Sequence, residues 1–382
     1  MKKLLPLIIG LVLLCKIDAF GAVLVFWDTD GPTPGAGSAT PTGTWGVDAF
    51  WGKESFDGTV ATEAWTAGNL AIFAAGNDAI GAYTVYVSEI IDVGDIHVDL
   101  GEVTFDPAPV TGGSLKLGSL LSVGHKSADT VARYNVPITD STGVFRYKRG
   151  TLIFGATNTF TGPFTIEGGV VQCAVPYTLG ATNPLVLANN DMNRTDGTLA
   201  DRLQWEFTPA VFHTGGLDQQ LGTLTLAGTD ATVVRALDLG NGAGTLSFAD
   251  SNAEGWGSFT LTITNYAFGS SKLRFGTSDA GLTAAQLSQI QFADFANLPG
   301  VIDASGYVTP ATKITGITHP GGAVEIVWTA FSGRTYRVWS KDTLSPGGWN
   351  NRGDVPAIGA TASYTDSTPG PTARYYRVEL LP

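Results

Sequence analysis

A five-residue pattern recurs along the chain and constrains its fold more than any other feature of the sequence. The pattern is Gly, then Ser or Thr, then Leu or Phe, then any residue, then Leu or Phe, and it begins at Gly113, Gly150, Gly222, Gly244 and Gly257. Its third and fifth residues fall on one face of a strand, because side chains alternate between the two faces. We expect three such pairs to stack in one buried column: Leu152 with Phe154, Leu224 with Leu226, and Leu246 with Phe248.

The spacing of this pattern favours a stacked architecture. The step from Gly222 to Gly244 is 22 residues, and the step from Gly150 to Gly222 is 72, or three steps of 24. Periods in the twenties are typical of a β-solenoid, in which each coil buries its face against the next. The step from Gly244 to Gly257 is only 13 residues. A β-sandwich with short turns satisfies the same alternation and stays open on periodicity alone.

One short helix interrupts the strand pattern. Thr283-Ala-Ala-Gln286 is a capping box, and Leu282 and Leu287 on either side of it form the matching hydrophobic staple. We therefore predict a helix over roughly 284–290, in a chain that is otherwise all-β.

The segment 150–172 carries a more specific signal. Its front reads G-T-L-x-F-x-x-x-N-T-F-T-G and its close reads I-x-G-G-x-V-Q, with Pro163 as the one departure inside it. The segment resembles the autotransporter-associated β-strand repeat of bacterial passenger proteins. Looser similarities extend the resemblance over most of 23–310. The resemblance implies a right-handed parallel β-helix over 23–312 on an exported protein, and it brings no catalytic residues.

The first residues predict export. Met1-Lys2-Lys3 is basic, and the eleven apolar residues that follow form a helix of about 16 Å, too short to span a bilayer. A small residue follows downstream, so we interpret 1–22 as a signal peptide, cleaved after Ala22 or Ala19. Cys15 offers a lipoprotein site, which the bulky Leu14 before it disfavours. We expect a secreted protein, or one on the outer surface of a Gram-negative-type bacterium, with no transmembrane helix in its mature chain.

The tail, 313–382, has a different pattern. Val324, Ile326 and Trp328 share one strand face, while Arg377 and Glu379 point away from the core in the last strand. This alternation predicts a small β-sandwich with one core and a solvated exterior. It resembles a short fibronectin-type or immunoglobulin-like module.

Charge and cysteine content exclude several classes of function. The net charge of −12 argues against nucleic acid and anionic membrane surfaces, which attract clustered Lys and Arg. The two cysteines are Cys15, inside the signal, and Cys173, inside a strand-like run. A mature chain with one cysteine has no internal disulfide, and we expect Cys173 to be a small buried apolar residue.

Residues for catalysis or metal binding are sparse. The four histidines lack zinc-site spacing, and no Gly-x-Ser-x-Gly motif occurs, so we predict no metal and no cofactor. Two stretches offer oxygen ligands for calcium without a full loop, 28–31 and 189–193. Glycoside hydrolysis needs two neighbouring carboxylates. The candidate pairs all lie in turn-like sequence, where Asp caps its own backbone: Asp28/Asp30, Asp92/Asp95, Asp99/Glu102 and Asp191/Asp196.

Tryptophans are the remaining candidates for ligand contact. Trp339 falls on the strand face opposite Tyr336 and Val338, so we expect an exposed ring that stacks on sugars. Trp349 follows nearby. Trp339 and Trp349 are the predicted ligand-binding residues.

These observations favour a structural or adhesive protein over an enzyme, without deciding the question. We expect multipoint binding to extracellular polysaccharide or cell-envelope components, with self-association through tail edge strands as a further expectation. The alternative is a polysaccharide lyase or glycoside hydrolase on a β-helix scaffold. A third hypothesis makes the tail a docking module for secretion or envelope attachment.

Overall fold

The computed structural model describes residues 22–73, 75–147, 149–189, 208–267, 272–343, 348–368 and 373–381. The predicted signal peptide lies outside these residues, apart from Ala22.

Strands make up nearly all of the regular structure. In chain order, the first sixteen strands are β1 Leu24–Trp27, β2 Gly43–Trp45, β3 Trp51–Lys53, β4 Thr62–Glu63, β5 Leu70–Phe73, β6 Ala82–Val87, β7 Ile90–Val98, β8 Glu102–Pro107, β9 Ser114–Val123, β10 Val131–Tyr134, β11 Ile138–Thr139, β12 Val144–Tyr147, β13 Thr151–Phe154, β14 Phe164–Ile166, β15 Gly169–Cys173 and β16 Leu185–Asn189. The next ten are β17 Ala210–His213, β18 Gln219–Gln220, β19 Leu224–Gly228, β20 Arg235–Asp238, β21 Thr245–Phe248, β22 Leu261–Thr264, β23 Lys272–Phe275, β24 Ile290–Phe292, β25 Gly300–Ile302 and β26 Tyr307–Pro310, with helix α1 Ala284–Gln289 before β24. The tail adds β27 Ile314–Thr318, β28 Val324–Thr329, β29 Thr335–Lys341, β30 Asn350–Pro356, β31 Thr361–Asp366 and β32 Tyr375–Leu380.

Parallel pairing dominates the part of the chain before the tail. Over the described residues, an eleven-stranded sheet runs in the order β19-β16-β14-β12-β9-β7-β5-β1-β3-β4, with β11 on β9, and a ten-stranded sheet runs β2-β6-β8-β10-β13-β15-β17-β20-β22-β24. A five-stranded sheet has the order β18-β21-β23-β26-β25. The chain passes between the sheets: β13 pairs in parallel with β15, whereas the intervening β14 pairs with β12 and β16. A parallel pair needs a crossover, and here the crossover itself contains a strand of the other sheet. The predicted all-β class is confirmed.

Apolar columns run through the core at right angles to the strands. Leu152 lies beside Val171, which lies beside Phe212, and the same column continues through Leu237 and Ile263. All five side chains are fully buried. Each strand therefore adds one apolar side chain to the column, and the apolar area buried grows with the number of strands.

The predicted single column of three residue pairs is wrong. Each pair does share a buried face, as expected. However, β13, β19 and β21 belong to three different sheets. The number of residues between two occurrences of the five-residue pattern therefore does not give the length of one coil, because the occurrences lie on different sheets. The true neighbours Leu152 and Val171 are 19 residues apart.

The repeat at 150–172 is joined to its neighbours by a buried amide. Asn158 Oδ1 accepts from the backbone N–H of Ile138 at 2.9 Å, and Asn158 Nδ2 donates to the carbonyl of Thr178 at 3.1 Å. The following turn requires glycine at position 162. The φ of Gly162 is +81°, and a Cβ atom at this position would lie 2.1 Å from the Thr142 carbonyl oxygen.

Aromatic residues fill the first strands. Trp27, Trp45 and Trp51 are completely buried, with ring centroids 5.1 Å apart for Trp27 and Trp51 and for Trp45 and Trp51. Trp65 lies 4.8 Å from Trp51 and is half-buried. Strands β3 and β4 pair antiparallel beside β1 at this end of the sheet. The Trp27–Trp51 contact is edge-to-face, and the other two pairs are tilted. Such aromatic contacts stabilise the cluster beyond area burial alone.

The predicted helix is confirmed, and it ends at Gln289. Thr283 Oγ1 accepts from the Gln286 N–H at 3.2 Å, and Gln286 Oε1 accepts from the Thr283 N–H at 2.8 Å. Leu282 is buried, and Leu287 packs against the core as the staple pattern indicates.

The tail contains two three-stranded antiparallel sheets, β27-β28-β31 and β30-β29-β32. Val324, Ile326 and Trp328 are buried on one face of β28, as predicted. The two sheets meet at Trp328 and Tyr336, whose ring centroids are 5.9 Å apart.

Candidate functional site

The outer face of the sheet β30-β29-β32 carries the predicted tryptophans. Alternation in β29 buries Tyr336 and Val338 and turns Arg337, Trp339 and Lys341 outward. In the adjacent β32, Arg377 lies directly opposite Trp339. The register therefore places a cation beside an indole ring on a solvent-facing surface.

Three of these outward-facing side chains form what we call the Arg377 cluster, together with Trp349, which lies just before β30: Trp339, Lys341, Arg377 and Trp349. The Arg377 guanidinium carbon lies 5.1 Å from the Trp339 ring centroid and 5.1 Å from that of Trp349. Lys341 Nζ lies 6.0 Å from the Trp349 ring. These distances fall within the range of cation–π attraction. Arg377 is thus within contact range of both indole rings.

A hydrogen bond fixes the orientation of Trp339. Its indole Nε1 donates to Glu379 Oε2 at 2.7 Å, two residues beyond Arg377 on the same strand face. A ring held in this way loses little further freedom when a ligand contacts it.

A separate ion pair borders the cluster. The Arg337 guanidinium donates to both carboxylate oxygens of Asp354, at 2.7 and 2.8 Å. These hydrogen bonds hold the pKa of Asp354 below its ordinary value, and they raise the pKa of Arg337. Arg337 is therefore already engaged by an anion.

Trp339 faces outward as the sequence predicts, but it is half-buried, and the Arg337 and Arg377 guanidinium carbons lie 5.9 and 5.1 Å from its centroid. Sequence reasoning missed Arg377 and Lys341 as members of the site. The outward position of Arg377 is readable from alternation. Its register opposite Trp339 depends on strand pairing, which spacing does not reveal.

The first carboxylate pair is a turn cap. Asp28 is fully buried, and its Oδ1 accepts from the backbone N–H groups of Asp30 and Gly31 at 3.0 and 3.1 Å. Burial raises the pKa of Asp28 to about 6. Asp30 itself is exposed. The two carboxylates do not face a common groove, because one points into the protein.

Asp92, Asp95 and Asp99 of the other pairs are engaged locally, whereas Glu102 is exposed. Asp92 forms an ion pair with Lys116 at 2.8 Å, and Asp95 Oδ1 accepts from the Leu120 N–H at 3.1 Å. Asp99 is buried, with its Oδ2 3.8 Å from His125 Nδ1. The candidate pair Asp191/Asp196 lies outside the described residues, as does all of the 189–193 calcium candidate except Asn189.

The described part of the chain contains no group of three or more His, Cys, Asp or Glu arranged to hold a metal ion. Cys173 is buried, and burial raises the pKa of its thiol to about 12, so it is held as the unreactive thiol. Within the described ranges, no helix has the length and apolar character to cross a membrane.

Comparison with known proteins gives one informative similarity. The chain is 30% identical over 222 residues to the adhesin BmaC autotransporter of Brucella suis biovar 1 (strain 1330). The similarity covers 54% of this chain, and the chain spans 6% of the length of that adhesin. No protein-family model matches the chain, and no solved structure matches it.

Proposed function

We propose that this chain is an adhesive, non-catalytic protein of the autotransporter-related type, secreted or held at the outer surface of a Gram-negative-type bacterium. The observation that carries the proposal is the similarity to an autotransporter adhesin over 54% of the chain. In this proposal, 1–22 is a signal peptide, 23–312 forms a right-handed parallel β-helix, and 313–382 is a small β-sandwich.

The paired strands support multipoint binding. Gln172, His213, Asp238 and Thr264 form one half-exposed polar row across four neighbouring strands of the ten-stranded sheet. Parallel strands repeat at about 4.8 Å, so such a row offers evenly spaced polar contacts along a stiff surface. Many weak contacts of this kind add up through multivalency without one deep pocket.

Local engagement of the carboxylates supports binding over turnover. A catalytic pair would need to face a bound sugar from two sides. Asp28 instead caps its own turn, and Asp92 pairs with Lys116. The partners we propose are extracellular polysaccharides or cell-envelope components, contacted by the outer strand faces and by Trp339 and Trp349.

Fractionation of cells that express the full chain tests the location, and adhesion of beads coated with the purified chain tests the activity. We expect the protein in the surface or medium fraction and bead attachment to polysaccharide-coated surfaces. Retention of the protein in the cytoplasm, or beads that attach no better than albumin-coated beads, would contradict the proposal.

A further inference from the structure

We propose that the Arg377 cluster binds a carboxylate-bearing polysaccharide, a polyuronate, with Arg377 pairing with a uronate carboxylate. This inference rests on the proposed adhesive function and specifies the ligand of one surface. It starts from how Arg377 is held. Two indole rings contact its guanidinium at 5.1 Å, and a cation–π contact does not consume N–H donors.

The donors of Arg377 remain available to a ligand. Within the part of the chain that the structure describes, its guanidinium takes part in no ion pair or hydrogen bond, in contrast to Arg337 and Arg374, which bind Asp354 and Asp342. Arg377 is also exposed. An oriented, exposed guanidinium without a carboxylate partner is a receptor for an external anion.

The charges around the cluster point to the same ligand. Asp354 is engaged by Arg337, and Glu379 accepts from the indole of Trp339. Arg377 then presents a cation that no described carboxylate pairs with, on a protein whose net charge is −12. Acidic polymers are repelled by most of such a surface, so attraction at this cluster selects where they bind.

The geometry of the cluster selects carboxylate sugars among anions. A guanidinium forms two parallel hydrogen bonds with a carboxylate, and the adjacent indole rings offer apolar contact to the C–H groups of a pyranose. A uronate supplies both the carboxylate and the pyranose ring. A neutral sugar supplies only the ring, so it leaves the guanidinium unpaired.

Calorimetry with purified 23–382 tests this inference. The ligands are polygalacturonate, dextran of matched length as the neutral polymer, and dextran sulfate as an anionic polymer without carboxylates. We expect polygalacturonate to bind, dextran not to bind, and Arg377→Gln to weaken polygalacturonate binding about tenfold. Arg377→Lys should lose most of that affinity, because an ammonium lacks the paired donors. Lys313→Gln is the matched control: it removes one exposed charge from the same tail, away from the cluster, and should bind as the wild type does.

Three results would overturn the inference. The first is that Arg377→Gln binds polygalacturonate as tightly as the wild type does, and the second is that dextran binds as tightly as polygalacturonate. The third is that Lys313→Gln weakens polygalacturonate binding as much as Arg377→Gln does, while dextran sulfate binds more tightly than polygalacturonate. Should Arg377→Gln fail to fold, Arg377→Lys keeps the charge on the rings and still tests the paired hydrogen bonds. Failure here is separable from failure of the proposed function. Beads that adhere while polygalacturonate does not bind reject only the inference, whereas beads that fail to adhere reject the adhesive function itself.

Discussion

Asn158 connects three segments of the core through one side chain. Its amide accepts from Ile138 and donates to Thr178. Thr178 in turn donates its N–H to Gln219 Oε1 at 2.9 Å, so the amides continue along the stack. Backbone groups at the bends between strands lack sheet partners, and buried side-chain amides satisfy them. This explains why the repeat carries Asn at a position that otherwise reads as a loop.

Replacing Asn158 by Ala should lower the free energy of unfolding by about 2 kcal/mol, because it leaves the Ile138 N–H buried without this partner. The Thr178 carbonyl loses the side-chain donor but keeps the backbone N–H of residue 158. Chemical denaturation measures the change. Thr159→Ala is the control, since Thr159 is exposed and only its backbone bonds to Ile138; its effect should stay below about 0.5 kcal/mol. Equal effects of the two substitutions would contradict this role for Asn158.

Asp28 makes stability depend on pH in a direction opposite to that of most carboxylates. Burial raises its pKa from an ordinary 3.8 to about 6. Between these values the folded protein holds a proton that the unfolded chain has released. Folding is therefore favoured as pH falls from 7 towards 4, and the contribution is lost as pH rises through 6.

Asp28→Asn removes this charge while keeping an oxygen that accepts from Asp30 and Gly31. The variant should exceed the wild type in unfolding free energy by about 2–3 kcal/mol at pH 7.5, and the difference should fall below about 1 kcal/mol near pH 4. Denaturation followed by tryptophan fluorescence at four pH values measures it. Exposed Asp279→Asn should follow the wild-type curve. A constant difference between Asp28→Asn and the wild type at all pH values would refute the assignment.

Helix α1 is stabilised by hydrogen bonds to a neighbouring loop as well as by its own capping box. Gln286 of α1 completes the capping box, and its Nε2 also donates to the carbonyls of Ser251 and Glu254, at 2.9 and 3.1 Å. A helix of six residues is too short to be stable alone. Its position therefore depends on these cross-links.

Gln286→Ala should cost about 2–3 kcal/mol of unfolding free energy, against about 1 kcal/mol for Thr283→Ala, which removes only the cap. Ser288→Ala, an exposed change on the same helix, serves as the control and should be near neutral. Thermal and chemical unfolding of the three variants give the order. A larger loss in Thr283→Ala than in Gln286→Ala would show that the cap alone positions the helix.

Sequence patterns predicted individual elements well and their pairing poorly. The capping box at Thr283 and the buried pair Leu152 and Phe154 follow from local rules and are present. Which sheet a strand joins depends on the length of intervening chain, which varies from 19 residues between Leu152 and Val171 to 41 between Val171 and Phe212. No local pattern encodes that variation.

Arg235 illustrates the same difficulty. It is fully buried in line with Ala210 and Leu261, where the strand pattern requires an apolar side chain. Its guanidinium donates to the carbonyls of Ala227, Val233 and Asp230, and its guanidinium carbon lies 3.9 Å from the Phe259 ring centroid. A buried charge is tolerated when its donors are satisfied. Those carbonyls come from the end of β19 and from the loop that follows it, whose path the sequence does not reveal.

At the scale of the whole molecule, stacked parallel strands produce long outer faces. The core columns fix the backbone, while the outward residues of the same strands are released from packing constraints and can carry polar groups. Gln172, His213 and Asp238 show this on the ten-stranded sheet. In the adhesive function that we propose, such a surface would contact an extended ligand at positions that repeat along one direction.

The candidate site was predictable only in part for the same physical reason. Alternation in β29 indicates that Trp339 faces outward, and the structure agrees. The guanidinium of Arg377 comes from a strand 38 positions further along the chain, and its pairing with Trp339 is a property of the assembled sheet.

If this chain binds surfaces without chemical turnover, as we propose, it should sediment with an insoluble polysaccharide and leave that polysaccharide intact. Purified 23–382 is incubated with a panel of insoluble polysaccharides, and the pellet is assayed for protein while the supernatant is assayed for released sugar. We expect protein in the pellet of at least one polysaccharide and no released sugar. Soluble oligosaccharide in the supernatant, or protein that stays in solution with every polysaccharide, would contradict it.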